Sequence, residues 1–374
     1  MAAGTTRKVS AASARAHTRR PKPKISSKSS GILSKILLVG FVGFLAWAYQ
    51  ATRPPPPKTC GSTDGPPVTA SRVQLKDRRY LAYKEYGVPK DIAKHKIVSV
   101  HGFGTCRHDV SALTANLSPD IIESKAIYIV SFDRPGYGES DPHPTRTVKS
   151  FALDIDELAD QLGLGSKFYV VGLSMGGQLV WSCLKYIPHR LAGTAMVAPV
   201  INYWWPAFPS NLSRTAYDLQ PKQDQWALRV AHYVPWLTYW WNTQKLFPAS
   251  SVITHNPTIF SNQDKELFPR IYSIRKQYQA VPTQQGEFES LHRDMMIGFG
   301  TWEFDPMDLE NPFPEGKGSV HLWQGDDDHL VPVTLQRYIA DRLPWIRYHE
   351  LSGAGHMLLF ADGKADSVIQ ALIA

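Results

Sequence analysis

Residues 168–181 read FYVVGLSMGGQLVW: an apolar run, a lone serine between glycines, and a second apolar run. Short apolar runs that end in turn residues are typical of strands buried on both faces of a sheet. The stretch therefore predicts a strand, a sharp turn at Ser174 and a helix. Gly172, Gly176 and Gly177 leave room for the strained backbone that such a turn requires. This G-x-S-x-G pattern makes Ser174 a candidate nucleophile, and an ordinary polar turn residue is the alternative.

Short strands and helices alternate on both sides of this stretch. Two segments within residues 72–87 predict an antiparallel hairpin, and the apolar spacing of residues 147–165 predicts an amphipathic helix. Repeated strand–helix alternation predicts an α/β fold with a doubly wound, mostly parallel sheet. The other strand candidates are residues 96–102, 126–136, 168–174, 191–200, 319–326 and 346–356, and a further helix candidate is 333–343.

Residues 199–312 interrupt the alternation. They contain seven of the eleven tryptophans and are also rich in Tyr and Pro. We predict that this interval is a helical, aromatic-rich cap over the carboxyl ends of the strands. It is inserted between two parts of the α/β core, residues 71–198 and 313–374. The aromatic residues would line a substrate pocket or form the core of the cap itself, and the pocket candidates are Gly102, Trp204, Trp205 and Trp302.

The formal net charge of +8 arises at the N-terminal end. Residues 1–58 carry eleven Lys and Arg and no acidic residue, so the rest of the chain has 30 basic and 33 acidic residues. A nearly neutral body argues against a nucleic-acid partner. Residues 1–30 have little apolar content and predict a disordered basic tail.

Residues 31–50, GILSKILLVGFVGFLAWAYQ, predict a transmembrane anchor that would attach the chain to a membrane. Their length matches the roughly 20 residues that a bilayer-spanning helix needs, and Trp47 and Tyr49 suit the membrane interface. The proline-rich residues 51–70 predict a stiff linker. A cleaved signal peptide and an organelle transit peptide are the alternatives for this region.

The distribution of basic residues predicts the orientation of the anchor. Nine basic residues lie at or before Lys35, and two follow the apolar stretch. This bias places the N-terminus in the cytosol and the folded body in the lumen of the endoplasmic reticulum or secretory pathway. Asn211-Leu212-Ser213 would be an available glycosylation sequon there. A transit peptide would direct the chain to an organelle instead.

The sequence predicts no metal site and no organic cofactor. The three cysteines, Cys60, Cys106 and Cys183, are widely spaced and form no C-x-x-C pair, and the histidines are scattered. Cys183 lies in an apolar helical pattern, which indicates a buried core thiol. No glycine-rich phosphate loop follows a strand with suitable spacing.

The groups that would activate Ser174 follow it in the chain. His356 lies after the last strand candidate and is a candidate base, because a serine hydroxyl is a poor nucleophile until a base takes its proton. The candidate acid that orients His356 is one of three adjacent carboxylates after residues 319–326, namely Asp326, Asp327 and Asp328. In an oxyanion hole, the backbone N–H groups of Phe103 and Met175 would bind the developing charge.

Five ordered motifs resemble the α/β-hydrolase superfamily in its cap-bearing branch: HGFG (101–104), DRPGYGESD (133–141), GLSMGG (172–177), GDDDHLVP (325–332) and GAGH (353–356). The acid of that branch lies in a G-x-x-D-x-x-V-P pattern, so the resemblance implies Asp328. The resemblance also assigns residues 133–140 to a loop that borders the site. Epoxide hydrolases and haloalkane dehalogenases are similar but have Asp in place of Ser174. The serine therefore implies an acyl-enzyme rather than an alkyl-enzyme.

Together these features predict a membrane-anchored serine hydrolase that cleaves carboxylic esters, lipidic esters among them. The catalytic residues would be Ser174, Asp328 and His356, and the aromatic cap favours an apolar small-molecule substrate. One alternative is a small-molecule receptor that keeps the triad but hydrolyses slowly or not at all. Another is acyl transfer or C–C hydrolysis by the same residues. The sequence indicates no oligomeric state.

Overall fold

The computed structural model describes residues 1, 4 and 28–374. The predicted disordered tail, residues 1–30, lies almost entirely outside the described residues. Contacts divide the chain into two units, Met1–Ala51 and Thr52–Ala374, and each is described by itself.

A single long helix, α1 (Lys28–Thr52), forms most of the described part of the first unit. Within it, the 22 residues Gly31–Thr52 are long and apolar enough to cross a bilayer. Their apolar side chains are exposed, as expected for a helix without a protein partner on its apolar surface. The criterion rests on length and composition alone, and a signal sequence would also meet it.

The second unit is built on one eight-stranded sheet with the order β1-β2-β4-β3-β5-β6-β7-β8. The first two strands form an antiparallel hairpin that adds antiparallel to β4, and all the other pairs are parallel. This confirms the predicted α/β fold with a mostly parallel sheet. The strands are β1 Ser71–Gln74, β2 Tyr80–Gly87, β3 His95–Val100, β4 Ile127–Phe132, β5 Phe168–Leu173, β6 Leu191–Val197, β7 Val320–Gly325 and β8 Ile346–Leu351.

Burial on both faces of the sheet explains the apolar strand sequences. All six residues of β4 and all six of β7 are buried. Successive side chains of a strand point to opposite faces, so Val98 of β3 belongs to one core layer and Ile97 to the other. Helices cover both layers, which is why these strands lack the polar alternation of a half-exposed sheet.

The described helices follow the order expected for a doubly wound sheet. Helices α4, α5 and α11 pack on one face, and α2 and α12 pack on the other. After α1, the helices are α2 Ser111–Thr114, α3 Pro119–Ser124, α4 Val148–Gln161, α5 Met175–Tyr186, α6 Ser210–Asp218, α7 Lys222–Tyr233, α8 Thr238–Thr243, α9 Asn262–Arg275, α10 Arg293–Gly298, α11 Val333–Arg342 and α12 Lys364–Ile373.

The chain between β6 and β7 contains α6 to α10 and no strand among its residues. Short 3₁₀ segments connect these helices, including Pro235–Leu237 between α7 and α8. A five-residue π-helix, Phe288–His292, leads directly into α10. This cap segment supplies many of the side chains that surround Ser174, as described below.

Part of the predicted linker is bonded to the folded body. The backbone N–H of Lys58 donates to Gln285 O at 2.8 Å, and that of Cys60 donates to Gln285 Oε1 at 2.9 Å. Further along, the N–H of Thr69 donates to Glu139 Oε2 at 2.7 Å. The polypeptide is therefore fixed to the body from residue 58 onward, well before β1.

Helix α4 offers a direct test of this packing. Leu158 is fully buried in the core layer beneath the sheet, whereas Leu153 of the same helix is 47% exposed. We expect Leu158→Ala to lower the free energy of unfolding by about 2–5 kcal/mol, because it removes buried methyl groups and leaves a cavity. Leu153→Ala is the matched control and should change stability by less than about 0.5 kcal/mol. Chemical unfolding in detergent, followed by circular dichroism, measures both; equal losses would contradict the packing.

Candidate active site

Ser174 occupies the turn between β5 and α5 in a strained backbone conformation, with φ 53° and ψ −117°. The turn is held by its own backbone: Ser174 N donates to Val197 O at 2.9 Å, and Ser174 O accepts from Val200 N at 3.1 Å. A Cβ at Gly176 would overlap the carbonyl oxygens of Val100 and His101, so only glycine fits there. Such strain persists only where neighbouring contacts impose it, and it is common at functional sites.

The imidazole of His356 connects Ser174 to Asp328. His356 Nε2 lies 2.9 Å from Ser174 Oγ, and Nδ1 lies 2.8 Å from Asp328 Oδ2. Asp264, at the start of α9, accepts from the backbone N–H groups of His356 and Met357 at 3.0 and 2.7 Å. The loop that carries the histidine is therefore fixed by a cap residue that sequence reasoning missed. Its capping-box pattern is visible in the sequence, but its contact across 92 residues is not.

Asp328 is the acid that the fold orients toward His356. Its Oδ1 accepts from the N–H groups of Leu330 and Val331, both at 2.9 Å, and Gln324 Nε2 donates to its Oδ2 at 2.9 Å.

The carboxylates of Asp326 and Asp327 bond to groups other than His356. Asp326 accepts from Gly353 N at 2.6 Å, and the exposed Asp327 contacts His329 at 3.0 Å. Neither of them is bonded to His356.

The surroundings of His356 favour its protonated form. Complete burial by itself would lower its pKa, but the negative charge of Asp328 and the hydrogen bond to it outweigh burial, with a smaller contribution from the charge of Asp264. The pKa of His356 is therefore raised above its ordinary value of 6.5. This is the electrostatic requirement for a group that receives a proton from a serine hydroxyl and holds it briefly.

The HGFG loop lies against Ser174, the candidate nucleophile. Phe103 and Met175 both line a cavity together with Ser174 and His356. Met175 is the first residue of the twelve-residue helix α5, whose N-terminus carries a partial positive charge. The two backbone N–H groups assigned to the oxyanion hole thus belong to the two segments that meet at the nucleophile.

His101 braces this loop. Its Nε2 accepts from the backbone N–H of Arg134 at 3.0 Å, so the ring proton is on Nδ1, which donates to Gly102 O at 2.9 Å. Burial and the nearby charge of Arg134 hold the pKa of His101 well below its ordinary value. His101 is therefore neutral and fixes the loop.

Arg134 joins the oxyanion loop to the cap. Its guanidinium donates to His101 O at 3.1 Å, to Gly102 O at 2.9 Å and to Asp294 Oδ1 of α10 at 2.7 Å. It belongs to the DRPGYGES motif, which the family resemblance assigns to a loop bordering the site. The motif does not reveal that one of its residues holds the backbone beside the nucleophile.

Two cavities meet at Ser174 and His356. The smaller has a volume of about 90 Å³ and is mostly apolar, with Leu228 of α7 and Phe299 among its lining residues. The larger has a volume of about 340 Å³ and includes Gly102, one of the predicted pocket residues. A reacting carbonyl at Ser174 would therefore have space on two sides, one for each half of an ester.

The structure corrects the prediction that Trp204, Trp205 and Trp302 line the pocket. None of them borders either cavity that contacts Ser174. Trp205 is buried and packs edge-on against Trp302 at 5.1 Å, and Trp204 stacks on His232 at 4.3 Å. Their large ring areas are used to hold the cap segment together, which is the alternative that composition left open.

Across residues 28–374, no group of three or more His, Cys, Asp or Glu side chains is placed to hold a metal ion. The three cysteines are buried thiols. Cys183 lies within the core layer beneath the sheet, where the helical pattern predicted it.

The sequence of this chain is similar to those of known proteins. Residues 97–362 match the model of the family described as "alpha/beta hydrolase fold". A curated relative from Cupriavidus necator, the dihydrolipoyllysine-residue acetyltransferase component of its acetoin cleaving system, is 31% identical over 105 residues. That match covers 28% of this chain, and the chain spans only 26% of the relative's length.

Three solved structures resemble nearly the whole body. A thermophilic esterase from Thermogutta terrifontis is 19% identical, with 81% of this chain and 96% of that chain covered and a TM-score of 0.52. The enol-lactonase from Burkholderia xenovorans LB400 is 16% identical, with 80% and 98% covered and a TM-score of 0.54. An esterase from Exiguobacterium antarcticum is 15% identical, with 82% and 100% covered and a TM-score of 0.53. At these identities the likeness shows a shared fold.

The charge of Asp328 should control the protonation of His356. We expect Asp328→Asn to lower the pKa of His356 below 6.5, because burial would then be opposed only by the smaller effect of the Asp264 charge. Asp327→Asn, the matched control on an exposed neighbour, should leave this pKa unchanged. Titration of the imidazole ¹⁵N signals by NMR measures both variants. A His356 pKa that is unchanged in Asp328→Asn but shifts in Asp327→Asn would contradict the geometry.

Proposed function

The chain belongs to the α/β-hydrolase family, and we propose that it is a serine hydrolase that cleaves carboxylic esters through an acyl-enzyme on Ser174. The observation that carries this proposal is the continuous hydrogen-bonded path from Ser174 Oγ through His356 to Asp328. This path ends at a junction of two cavities, where an ester carbonyl has room to bind.

In the acylation half, Ser174 Oγ attacks the carbonyl carbon of the ester while His356 Nε2 takes the hydroxyl proton. The carbonyl oxygen gains a negative charge, which the N–H groups of Phe103 and Met175 stabilise by about 3 kcal/mol each. The tetrahedral intermediate then collapses. The bond to the alcohol oxygen breaks, and His356 returns the proton to the leaving alkoxide.

In the deacylation half, water replaces the alcohol. His356 takes a proton from the water, which attacks the acyl carbon, and the same two N–H groups bind the oxyanion. When the intermediate collapses, the acid leaves and Ser174 recovers its proton from His356. Asp328 stays ionised throughout, orients the imidazole and stabilises its charged form.

The shape of the site supports an ester with two substantial halves. The smaller cavity is lined mainly by apolar side chains, which fits an acyl or alkyl group, and the larger one has room for a bulkier half. Lipidic esters are among the small molecules that this arrangement suits. Two of the structural neighbours are esterases by name, which agrees with the proposed reaction class.

Substitution of the proposed nucleophile tests this mechanism. We expect Ser174→Ala to abolish labelling by a fluorophosphonate probe and to lower kcat for p-nitrophenyl esters by at least about 10³-fold, because the acyl-enzyme cannot form. Ser182→Ala in α5, the helix that follows Ser174, is the matched control. Its hydroxyl donates to Leu179 O, and Ser182 borders neither cavity, so labelling and turnover should persist.

The same measurements separate a hydrolase from a receptor. A folded wild-type chain that binds no fluorophosphonate at Ser174 would refute the proposed mechanism. Labelling without turnover on any p-nitrophenyl ester, from short to long acyl chains, would favour a slow, receptor-like member of the family.

We further propose that α1 anchors the chain in a membrane, with the N-terminus in the cytosol and the body in the lumen of the secretory pathway. The length and apolar character of Gly31–Thr52 support the span. The excess of basic residues before the span supports the orientation.

Translation into sealed microsomes tests this topology. We expect residues 58–374 to resist added protease, because the membrane would enclose them, and to become sensitive once detergent is added. The exposed Asn211 should then carry a glycan that Asn211→Gln removes, seen as a loss of mass after endoglycosidase treatment of the wild type alone. Digestion of the body without detergent would reverse the predicted orientation.

A further inference from the structure

One stretch of the cap segment exposes an unusual amount of aromatic surface. Ten large apolar side chains are exposed in residues 53–374, and five of them lie within residues 219–246. We call these five the aromatic face: Leu219, Trp226, Tyr233, Trp236 and Leu246. The other five are spread over the rest of the body, where isolated apolar side chains are ordinary.

The elements that carry most of the aromatic face contact one another. Helix α7 contacts both the 3₁₀ turn Pro235–Leu237 and helix α8. Half-buried rings lie beside the exposed Trp226: Trp241 lies 6.1 Å from Trp226 and 4.3 Å from Phe247. Exposed apolar side chains concentrated on contacting elements indicate an interaction site.

The exposed charges within residues 219–248 are of one sign. Lys222 and Lys245 are exposed and Arg229 is half-buried, with its guanidinium over the ring of Trp226 at 5.3 Å. Asp224 is the only acidic residue in 219–248, and it is buried on the opposite side of α7. The exposed Asp218 just before the face is offset by Arg214, 3.8 Å away.

This combination fits the surface of an anionic bilayer. Tryptophan and tyrosine prefer the interface between headgroups and acyl chains, and neighbouring lysines and arginines are attracted to anionic lipid. The same chain carries a helix long and apolar enough to cross a bilayer. A single kind of partner, lipid, accounts for both features.

Helix α7 links this surface to the active site. Its buried side places Leu228 and Asp224 in the wall of the smaller cavity, and Ala227, Leu228 and Ala231 pack in one cluster with Met175. Its other side presents Trp226 and Tyr233. A membrane that holds the aromatic face would therefore hold one wall of the pocket at the lipid interface.

We propose that the aromatic face docks on a lipid bilayer that contains anionic lipid, whichever side of the membrane the body occupies, and that the enzyme takes ester substrates from that bilayer. Docking itself does not depend on catalysis, and only the supply of substrate rests on the proposed esterase function. The apolar rings enter the interface while Lys222, Arg229 and Lys245 bind lipid headgroups.

Fluorescent labelling of the full chain tests the docking. The three native cysteines are buried, so a cysteine placed at Trp236 or Leu246, one at a time, can be labelled selectively with the fluorophore NBD. In vesicles of phosphatidylcholine with 30% phosphatidylserine, we expect a blue shift at both positions and quenching by doxyl-labelled lipid. The exposed Lys167→Cys, just before β5 at the opposite end of the strands, should show neither. NBD at 236 and 246 that is as unquenched as at 167 would overturn the proposal.

Charge reversal tests the electrostatic part. Lys222→Glu, Arg229→Glu and Lys245→Glu combined should reduce the quenching at Leu246→Cys at least about fivefold, since each basic residue contributes to anionic-lipid binding. The matched control combines Lys94→Glu, Lys125→Glu and Lys167→Glu, three exposed lysines that precede β3, β4 and β5. It should leave quenching unchanged. Equal quenching in pure phosphatidylcholine, or equal losses in both triple variants, would overturn the anionic-surface proposal.

Turnover separates this inference from the proposed function. The triple variant at the aromatic face should hydrolyse a water-soluble p-nitrophenyl ester at the wild-type rate but a vesicle-embedded ester at least about fivefold more slowly. If the triple variant docks less but hydrolyses the vesicle-embedded ester as fast as the wild type, docking does not supply the substrate. A wild-type chain with no esterase activity at all would refute the proposed function, and the fluorescence result would still decide docking.

Discussion

The proposed site depends on a loop that spans part of the sheet and brings His356 to Ser174. Ser174 follows β5 and His356 follows β8, and three inter-strand spacings of about 4.8 Å, roughly 14 Å in total, separate the ends of those strands. The loop after β8 must therefore fold back over β7 and β6, and Asp264 of the cap segment holds it there through two backbone N–H groups. The cap is consequently part of the frame that keeps the base within hydrogen-bonding distance of the serine. Arg134 makes a second connection between the cap segment and the proposed site, because its guanidinium bonds both Gly102 O of the HGFG loop and Asp294 of α10.

Buried charges are concentrated around this frame. Arg107 pairs with Asp133 and Glu139, and Arg134 and Arg146 both pair with Asp294. Buried ion pairs often add little net stability because desolvation offsets their attraction, but removing one partner is costly. These pairs join the segment 133–139 to Arg107 and to α10, and they join Arg146 to α10 as well. Burial opposes ionisation of Glu139, yet bonds from Thr69 and Ala70 and the charge of Arg107 lower its pKa to about 2.

Local sequence patterns were sufficient for the sheet and for the order of the proposed triad. A strand buried on both faces, or a serine turn flanked by glycines, can be recognised from a sequence segment of about ten residues. From the residues alone, three adjacent carboxylates were candidates for the acid that orients His356, and the family resemblance favoured Asp328. The structure shows a physical difference: two backbone N–H groups orient Asp328 while Asp326 and Asp327 bond elsewhere. The roles of Asp264 and of Trp204, Trp205 and Trp302 depend on contacts distant in sequence. Composition could show that the cap is aromatic but not which rings pack together and which face solvent.

The distance in sequence between Ser174 and His356 also bears on biosynthesis. The hydrogen bond between them joins residues 182 positions apart. At roughly 5–20 residues per second, the ribosome needs about 10–40 s to make the chain between them. The serine turn can form once β6 has been made, because its backbone bonds go to Val197 and Val200, but His356 follows much later in the chain. A nascent chain therefore displays the serine without the histidine that would activate it, and the proposed hydrolase stays inert until synthesis has passed His356.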